Sequence, residues 1–331
     1  MTPAAFTTTE LEIDQQVAAA VRAGLASTPK SLPPWLFYDE AGSRLFDQIT
    51  ELPEYYLTRT ERAILHRHAD EMVARAIDNS ARSRPQLRIA ELGAGSAEKT
   101  RILLRAAIEL QGNVLYEPVD VSATALLVAQ SRIEREIPAV RVRPVTADYT
   151  NGFRFAPIGP DERRLVLYIG SSIGNFEPAE AAHLLAKVRA QLRPGDGMLL
   201  GVDLVKDEPL LLAAYDDDAG VTAAFNKNML SRLNRDLCAN FDPDAFTHRA
   251  LWNPVHSRME MHLESRHAQC VRFAALDFDA EFAAGETIHT ECSYKYRAGE
   301  AEAMLERAGF EPAASWTDEK GWFMVHLGQA G

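Results

Sequence analysis

The chain has 331 residues, of which 47% are hydrophobic, so it can bury one large core or two smaller ones. Its formal net charge is −12 and its Lys and Arg residues are scattered, whereas nucleic acid and anionic membrane surfaces both require clustered cations. No signal-peptide pattern and no apolar run of about 18 residues occurs. We therefore expect a cytoplasmic, globular protein with no nucleic-acid or membrane partner.

Three cysteines, Cys238, Cys270 and Cys292, are too few and too widely spaced for a disulfide framework or a zinc site, which fits a reducing compartment. We expect buried or incidental thiols and no bound metal.

The N-terminal part combines helical patterns with aromatic residues. An amphipathic helix is predicted within residues 1 to about 30, and a long helix from about Thr58 to Arg75. Between them, Pro33 and Pro34 impose an extended path. The aromatic residues suggest a lid or pocket wall, but half-buried packing is the favoured interpretation of Tyr38, Phe46, Tyr55 and Tyr56.

A short apolar run ends at Gly93 and Gly95, which permit positive φ and leave no Cβ between the backbone and a ligand. A helix follows, with Ser96 as its expected N-cap. The third glycine of a dinucleotide fingerprint is missing, since Glu98 stands there, and this favours S-adenosylmethionine over a nicotinamide cofactor. An ordinary strand-to-helix turn is the alternative.

Strands alternate with helices through the middle of the chain. Strands are predicted at 87–92, 114–121, 140–146, 164–170 and 197–204, with helices at 96–111, 122–136 and 178–192. This rhythm predicts an α/β fold with a parallel, doubly wound sheet. Ligands of such sheets bind at the carboxyl ends of the strands.

Two acidic residues follow successive strands. Asp120 is placed to accept the hydroxyls of a ribose, and Asp148 to accept the adenine amine with Tyr149 beside the ring. Asp120 could instead be a helix N-cap. After the fourth strand, the polar loop from Gly170 to Asn175 offers room for a reactive methyl group and its acceptor, or it simply caps the next helix.

The C-terminal part is predicted to be mostly helical from 206 to 266, with Asp216 to Asp218 as a solvated helix start rather than a metal site. Strands are expected at 258–264, 270–278, 287–296 and 322–327, and antiparallel strands would close the sheet. Because side chains alternate along a strand, Glu291 and Ser293 lie on the same face of the strand predicted at 287–296. There they could bind the N–H groups of a substrate or simply face water.

Together these segments resemble a known family. The motifs are ELGAGSAEKTR at 91–101, IGSSIGN at 169–175, LLGVDLVKD at 199–207, AAYDDDAGVTAAFN at 213–226 and TECSYKYR at 290–297, with Ser31 to Asp39 and Leu45 to Arg62. They are similar to the histidine-specific Nα-methyltransferases of ergothioneine biosynthesis along nearly the whole chain. The resemblance implies transfer of three methyl groups from S-adenosylmethionine to the α-amine of L-histidine, which gives hercynine.

The resemblance also implies roles for individual residues. Around S-adenosylmethionine it places Gly93, Gly95, Lys99, Asp120, Asp148 and Tyr149. It gives Tyr38 and Asn175 catalytic roles at the α-amine. Around the amino-acid substrate it places Phe46, Tyr55, Gly170, Asn175, Tyr215, Met261, Glu291 and Ser293. Tyr55, Tyr215 and Asn175 would bind the substrate carboxylate. Leu57, Cys292, Tyr294 and Tyr296 depart from the family pattern, which puts substrate specificity in question.

The resemblance implies a Rossmann-like methyltransferase sheet, predicted at 62–206 plus 297–331, and an additional substrate-binding domain at 1–61 plus 207–296. We expect a monomer. Three alternatives stay open: a methyltransferase of the same fold for another amino acid or small amine, a non-catalytic cofactor-binding protein, and, more remotely, a nicotinamide dehydrogenase.

Overall fold

The computed structural model describes residues 14–77 and 85–331. The first part of the helix predicted within residues 1 to about 30 lies outside this range. Helices within it are α1 Gln15–Ala26, α2 Glu40–Glu51, α3 Tyr56–Ala76, α4 Thr100–Gln111, α5 Ala123–Glu136, α6 Pro178–Arg189, α7 Glu208–Tyr215, α8 Val221–Leu237 and α9 Glu300–Arg307. None of these helices is long and apolar enough to span a membrane.

The strands of the described residues form two larger sheets and one hairpin. They are β1 Lys30–Ser31, β2 Gln86–Leu92, β3 Val114–Asp120, β4 Val140–Val142, β5 Val145–Thr146, β6 Glu162–Tyr168, β7 Gly197–Asp203, β8 Phe246–Asn253, β9 Arg258–Ser265, β10 Gln269–Phe273, β11 Phe278–Phe282, β12 Thr287–Tyr294, β13 Phe310–Thr317 and β14 Phe323–Ala330.

The largest sheet has the order β13-β14-β7-β6-β2-β3-β4, with β5 beside β3. Strands β4, β3, β2, β6 and β7 pair in parallel. Strand β14 is antiparallel to both of its neighbours. The chain starts in the middle of this sheet and winds outwards in both directions, so the predicted doubly wound, Rossmann-like fold and its antiparallel closure are confirmed.

Burial on both faces explains why the central strands read as continuous apolar runs. Every residue of β7 is buried. One face packs against α3, α4 and α5 through a cluster that includes Leu65, Leu103 and Ile133. The other face packs against α6 and α9 through Leu185 and Leu305. The sheet therefore holds its strand ends rigidly, which is what a site at those ends requires.

The chain divides into two compact units. The doubly wound sheet belongs to the unit of residues 50–214, 252–259 and 292–331; the other unit comprises 1–49, 215–251 and 260–291. The predicted boundaries instead put 50–61, 207–214, 252–259 and 292–296 in the substrate-binding domain. A smaller sheet has the order β1-β12-β9-β8, and β10 pairs with β11. The assignment of substrate binding to a separate domain stays a prediction.

Two elements in the structure differ from their predictions, one in its first residue and one in being interrupted. Helix α4 begins at Thr100, with Lys99 at its N-cap position, so Ser96 is not the cap. Ala97, with φ of 52°, turns the chain before the helix can start. The segment predicted as one strand at 140–146 is two short strands, because β4 and β5 pair with different parts of β3.

The C-terminal half contains the clearest errors of strand prediction. The segment at 270–278 is split into β10 and β11 by a turn in which Asp277 has φ of 46°. Strand β8 lies in the region predicted to be helical, and β13 was not predicted. Both strands have several exposed positions, so the period-two signal is weak there.

Gly174 is packed too closely for a side chain. A Cβ at this position would lie 2.8 Å from the carbonyl oxygen of Tyr294. We predict that Gly174→Ala lowers the free energy of unfolding by about 1–3 kcal/mol, because the backbone must move. Ser172→Ala in the same loop is the control and should cost less than about 1 kcal/mol. Equal midpoints for both variants in urea would contradict this packing.

Candidate active site at the strand ends

The turn after β2 leaves its backbone accessible. Gly93 and Gly95 have φ of 67° and 50°, which glycine adopts without strain. A Cβ at Gly95 would meet nothing within 4 Å, and one at Gly93 would lie 3.4 Å from the hydroxyl oxygen of Tyr149. The open side of this turn fits a ligand such as an adenosyl group that must approach the backbone closely.

Asp120 fastens this turn to the end of β3. One of its carboxylate oxygens accepts a hydrogen bond from the Gly95 N–H at 3.0 Å, and the other accepts from Ser122 N–H at 2.9 Å. Ser122, not Asp120, is the N-cap of α5, since its hydroxyl accepts from Ala125 N–H. Each carboxylate oxygen has two lone pairs, so Asp120 keeps the capacity to accept ribose hydroxyls.

Tyr149 lies beside the glycine turn, and Asp148 precedes it. The Tyr149 ring packs edge-on against Tyr168, with ring centroids 5.8 Å apart. Burial raises the pKa of the Tyr149 hydroxyl, so it stays protonated and can donate. Asp148 accepts hydrogen bonds from the N–H and the hydroxyl of Thr150, which hold its carboxylate in place. The structure thus brings Gly93, Tyr149 and Asp120 together.

Glu61 is a site residue that the sequence analysis missed. Its fully buried carboxylate accepts the Gly170 N–H at 2.8 and 3.0 Å and forms an ion pair with Lys99. Lys99 and Gly170 are therefore neighbours, and their roles at the site stay predictions. A single acidic residue inside α3 has no sequence pattern that distinguishes it from a solvated one, and only its burial reveals the role.

Glu91, directly before the glycine turn, is also buried. It accepts hydrogen bonds from the hydroxyl of Thr100 at 2.6 Å and from that of Tyr116. Burial raises its pKa to about 7, although both hydrogen bonds oppose this. The carboxyl therefore links β2, β3 and the start of α4 beneath the turn, and it titrates near neutral pH.

The loop after β6 reaches Asn175 at its end. The carbonyl of Asn175 is 3.6 Å from the thiol of Cys292, which donates to it. Cys292 is buried, whereas Cys238 and Cys270 are exposed and free, which agrees with the expectation of buried or incidental thiols. Asn175 is thus fastened to the end of β12, directly before Ser293.

A buried charge cluster supports Ser293. Its hydroxyl accepts a hydrogen bond from Lys295 at 2.9 Å, and Lys295 pairs with Asp203 at 3.0 Å. Asp203 also accepts from the Tyr56 hydroxyl at 2.7 Å and pairs with Lys206 at 2.5 Å. Burial lowers the pKa of Lys206 to about 8, against the attraction of Asp203. The sequence analysis assigned no role to Lys295 or Lys206, and it interpreted Tyr56 only as a pocket-wall or packing aromatic residue.

In the other compact unit, Tyr38 and Phe46 belong to one aromatic group. Both rings contact Phe225, and the three centroids are 5.8 to 6.0 Å apart. Edge-on and tilted contacts of this kind are favourable. The packing interpretation of these aromatic residues is therefore correct for these two, and it does not exclude a role as pocket walls.

A polar chain in the same unit links Tyr215 to Met261. The carbonyl of Tyr215 accepts from His248, whose other ring nitrogen accepts from Asn226. Asn226 accepts from Thr290, whose hydroxyl also contacts the carbonyl of Met261 at 3.0 Å. Burial lowers the pKa of His248, so the neutral tautomer with a proton on Nε2 is favoured. His248 and Asn226 were also missed by the sequence analysis.

The remaining predicted residues lie at half-buried positions. Tyr55 directly precedes α3, and its carbonyl accepts from Arg59 at 3.2 Å. Glu291 lies on β12, and its carbonyl accepts from His289 at 2.9 Å. Gly170, Asn175, Tyr55 and Ser293 belong to the unit with the doubly wound sheet, whereas Tyr38, Phe46, Tyr215, Met261 and Glu291 belong to the other.

Two sets of possible ligand residues are relevant to the prediction that no metal is bound: the run Asp216 to Asp218, and a set of one glutamate and two histidines. Asp217 is buried and accepts the first N–H groups of α8, from Val221 and Thr222, whereas Asp216 and Asp218 are exposed. The run is therefore a helix start, as predicted, and it is solvated except at Asp217. Separately, Glu260, His262 and His289 offer one ligand atom each within 4.8 Å of one another, a donor set that could hold a metal ion.

The sheet order, the open glycine turn and the carboxylate after β3 define the class of S-adenosylmethionine-dependent methyltransferases with a Rossmann-like fold. A family model described as histidine-specific methyltransferase, SAM-dependent, matches residues 17–330. The chain therefore belongs to the family of S-adenosylmethionine-dependent, histidine-specific methyltransferases.

Individual relatives agree with this family. The chain is 47% identical to a histidine N-alpha-methyltransferase of Mycolicibacterium smegmatis, over 93% of this chain and 92% of that protein. A protein of the same description from Mycobacterium tuberculosis is 44% identical over the same shares. A 4-dimethylallyltryptophan N-methyltransferase of Claviceps fusiformis is 31% identical over 93% of this chain and 90% of its own length.

Glu91 should make stability depend on pH. The pKa of Glu91 in the folded state, about 7, lies above the ordinary value of 4.5. Its contribution to the free energy of unfolding is therefore fully present below pH 4.5 and is lost as the pH rises through 7. A glutamine at this position does not titrate. We therefore predict that, between pH 4.5 and 7, the free energy of unfolding of Glu91→Gln rises relative to that of the unsubstituted chain by about 1.4 kcal/mol per pH unit, up to about 3 kcal/mol in total.

Urea titrations at several pH values measure this difference. Glu109→Gln, which removes an exposed carboxyl from α4, is the control and should leave the pH dependence unchanged. A constant difference between Glu91→Gln and the unsubstituted chain would show that Glu91 is ionised throughout.

Proposed function

We propose that this chain transfers three methyl groups from S-adenosylmethionine to the α-amine of L-histidine and releases hercynine. The observation that carries the proposal is the family match over residues 17–330, which includes every residue at the strand ends that the site needs. This would be the first step towards ergothioneine.

The cofactor would be held at the carboxyl ends of β2 and β3. Asp120 would accept the ribose hydroxyls, Asp148 the adenine amine, and Tyr149 would lie beside the adenine ring. Gly93 and Gly95 would let the adenosyl group approach the backbone, and Lys99 would bind the cofactor's carboxylate. The ion pair of Lys99 with Glu61 supports this last role, because it fixes the ammonium beside Gly170.

The bound cofactor supplies an electrophilic methyl group on a sulfonium sulfur. The protein's part would be to align the α-amine in line with the C–S bond and to exclude water. Tyr38 and Asn175 would orient the amine as neutral hydrogen-bonding groups, because a carboxylate there would stabilise the protonated, unreactive amine. A proton must leave the nitrogen before each of the three transfers, because the starting amine is protonated and the first and second transfers each leave a protonated amine; three protons are released in all.

The substrate would be recognised at three points. Tyr55, Tyr215 and Asn175 would bind the carboxylate. Phe46 and Gly170 would border the amine, and Met261, Glu291 and Ser293 would surround the imidazole. The hydrogen-bonded chain from Tyr215 through His248 and Asn226 to Thr290 supports part of this arrangement, since Thr290 contacts Met261 and directly precedes Glu291.

An alternative substrate keeps the same fold and cofactor. The relative described as a 4-dimethylallyltryptophan N-methyltransferase indicates that this family includes proteins named for another amino acid. Leu57, Cys292 and Tyr294 depart from the pattern of the family, which leaves room for a different substrate. In this proposal Glu291 and Ser293 decide which substrate is bound.

We further propose a monomeric, cytoplasmic enzyme without a nucleic-acid partner. Light scattering would measure the molecular mass directly.

The direct test uses S-adenosylmethionine with deuterated methyl groups. Purified protein is incubated with it and L-histidine, and the product is followed by mass spectrometry. We expect successive gains of one, two and three labelled methyl groups, all on the α-nitrogen. Label on the imidazole, or no labelled histidine although calorimetry shows cofactor binding, would contradict the proposal.

Glu291→Gln should weaken recognition of histidine. The carboxylate accepts an imidazole N–H, and its loss should cost about 1–3 kcal/mol, a ten- to hundredfold decrease in kcat/KM for histidine. Glu286→Gln, in the same compact unit, is the matched control and should leave kcat/KM within about twofold. Unchanged kinetics for Glu291→Gln would remove Glu291 from the site.

Asp120→Ala should weaken cofactor binding. It removes the acceptor for the ribose hydroxyls and the support of the Gly95 N–H, so we expect at least a tenfold higher Kd, about 1.4 kcal/mol. Calorimetry with S-adenosylhomocysteine measures this without turnover. Ser122→Ala removes only the α5 cap and separates loss of helix stability from loss of the ribose acceptor; equal Kd values for both variants would argue against this role.

A further inference from the structure

Lys295 determines which way the hydroxyl of Ser293 points. The Lys295 side chain is fully buried, and its nitrogen lies 2.9 Å from the Ser293 oxygen. An ammonium group has three donors and no acceptor. The hydroxyl oxygen must therefore accept this hydrogen bond, and its own hydrogen points away from Lys295. Ser293 is thereby set as a donor towards any further partner.

Asp203 keeps Lys295 in this position. Its buried carboxylate pairs with Lys295 at 3.0 Å and with Lys206 at 2.5 Å, and it accepts from Tyr56 at 2.7 Å. Asp318 also attracts Lys206 electrostatically, so charges of both signs surround this carboxylate. These contacts hold the ammonium group of Lys295 beside Ser293.

We propose that Lys295 is a positioning residue that makes the site select the neutral imidazole of histidine and reject the imidazolium. This rests on the proposed function, in which Glu291 and Ser293 bind the ring. A neutral imidazole has one N–H, which Glu291 accepts, and one lone pair, which accepts from Ser293. An imidazolium has two N–H groups and cannot accept. A carboxylate alone would favour the imidazolium, so Lys295 reverses the preference.

The wild-type enzyme tests this through the pH dependence of KM. Histidine is compared with 1,2,4-triazol-3-ylalanine, whose ring is a much weaker base and stays neutral. Both substrates carry an α-amine, so the ratio of their KM values isolates the ring. We expect the ratio of histidine to triazole KM to rise up to about tenfold per pH unit below a ring pKa of about 6.5. A ratio independent of pH would overturn the proposal.

Two variants assign the effect to Lys295. In Lys295→Met the ratio should be constant or fall with decreasing pH, because Glu291 then attracts the imidazolium. Lys320→Met, which removes an exposed lysine, is the charge control and should keep the wild-type profile. If Lys295→Met does not fold, Ser293→Ala serves, since it removes the donor and should also flatten the ratio.

The outcomes separate this proposal from the proposed function. Histidine methylation with a flat wild-type ratio, or with a steep ratio that survives in Lys295→Met, contradicts only the role of Lys295. No methylation of histidine at any pH contradicts the proposed function itself, and the proposal falls with it.

An independent observation concerns the other compact unit. Glu260 and His262 on β9 lie beside His289 on the neighbouring strand β12, with one ligand atom of each within 4.8 Å of the others. The Nε2 of His262 is 3.2 Å from the carboxylate of Glu260. Two ligands of a tetrahedral zinc ion with bonds of 2.0–2.1 Å are separated by about 3.3 Å, so this spacing suits a shared metal.

The second ring nitrogen of His289 supports the same interpretation. His289 donates from Nε2 to the carbonyl of Glu291 at 2.9 Å, which leaves Nδ1 as the metal-binding atom, and metal-binding histidines commonly use such a carbonyl partner. We infer that Glu260, His262 and His289 bind a divalent transition metal of the zinc type.

Binding of Zn²⁺ and Co²⁺ tests this site. Calorimetry with Zn²⁺ should show binding at one site, and Co²⁺ should give the visible absorption of a four- or five-coordinate nitrogen and oxygen site. His262→Gln and His289→Gln should each abolish both signals, whereas the exposed His66→Gln should keep them. No binding by the unsubstituted chain, binding that survives both variants, or a cobalt–thiolate band from Cys238 or Cys270 would overturn the inference.

Discussion

The buried carboxylate of Glu61 is the interaction on which the strand-end arrangement depends. It joins helix α3, which carries it, to Lys99 before α4 and to the Gly170 N–H after β6. Removing a charge from water costs several kcal/mol, which is recovered only with well-placed partners. These three elements are therefore held in one arrangement, and the glycine turn and the loop to Asn175 take their positions from it.

Asp203 has the corresponding function at the end of β7. Its partners Lys295, Lys206 and Tyr56 come from separate segments of the chain, and Lys295 connects this cluster to Ser293. Both buried carboxylates lie at the carboxyl edge of the parallel strands, where the fold has no regular hydrogen-bond ladder to fix the loops. Buried charge networks supply the missing rigidity and set the direction of individual donors.

Much of the fold could be predicted from the sequence, because both faces of the central strands are buried and their apolar runs are unambiguous. The predictions were wrong where strands are partly exposed, as in β8 and β13, or where one left-handed residue such as Asp277 divides a strand. Site residues at strand ends, such as Asp120 and Tyr149, follow from the sheet rule and the family motifs. Glu61 and Lys295 could not be predicted, since only burial distinguishes them from surface charges.

The central claim is that this strand-end site methylates histidine in preference to other amino acids. One incubation with labelled S-adenosylmethionine and an equimolar mixture of the twenty amino acids tests it, with all products resolved by mass. The account predicts that nearly all label is found in trimethylated histidine. Label distributed over several amino acids, or concentrated in one other than histidine, would contradict it.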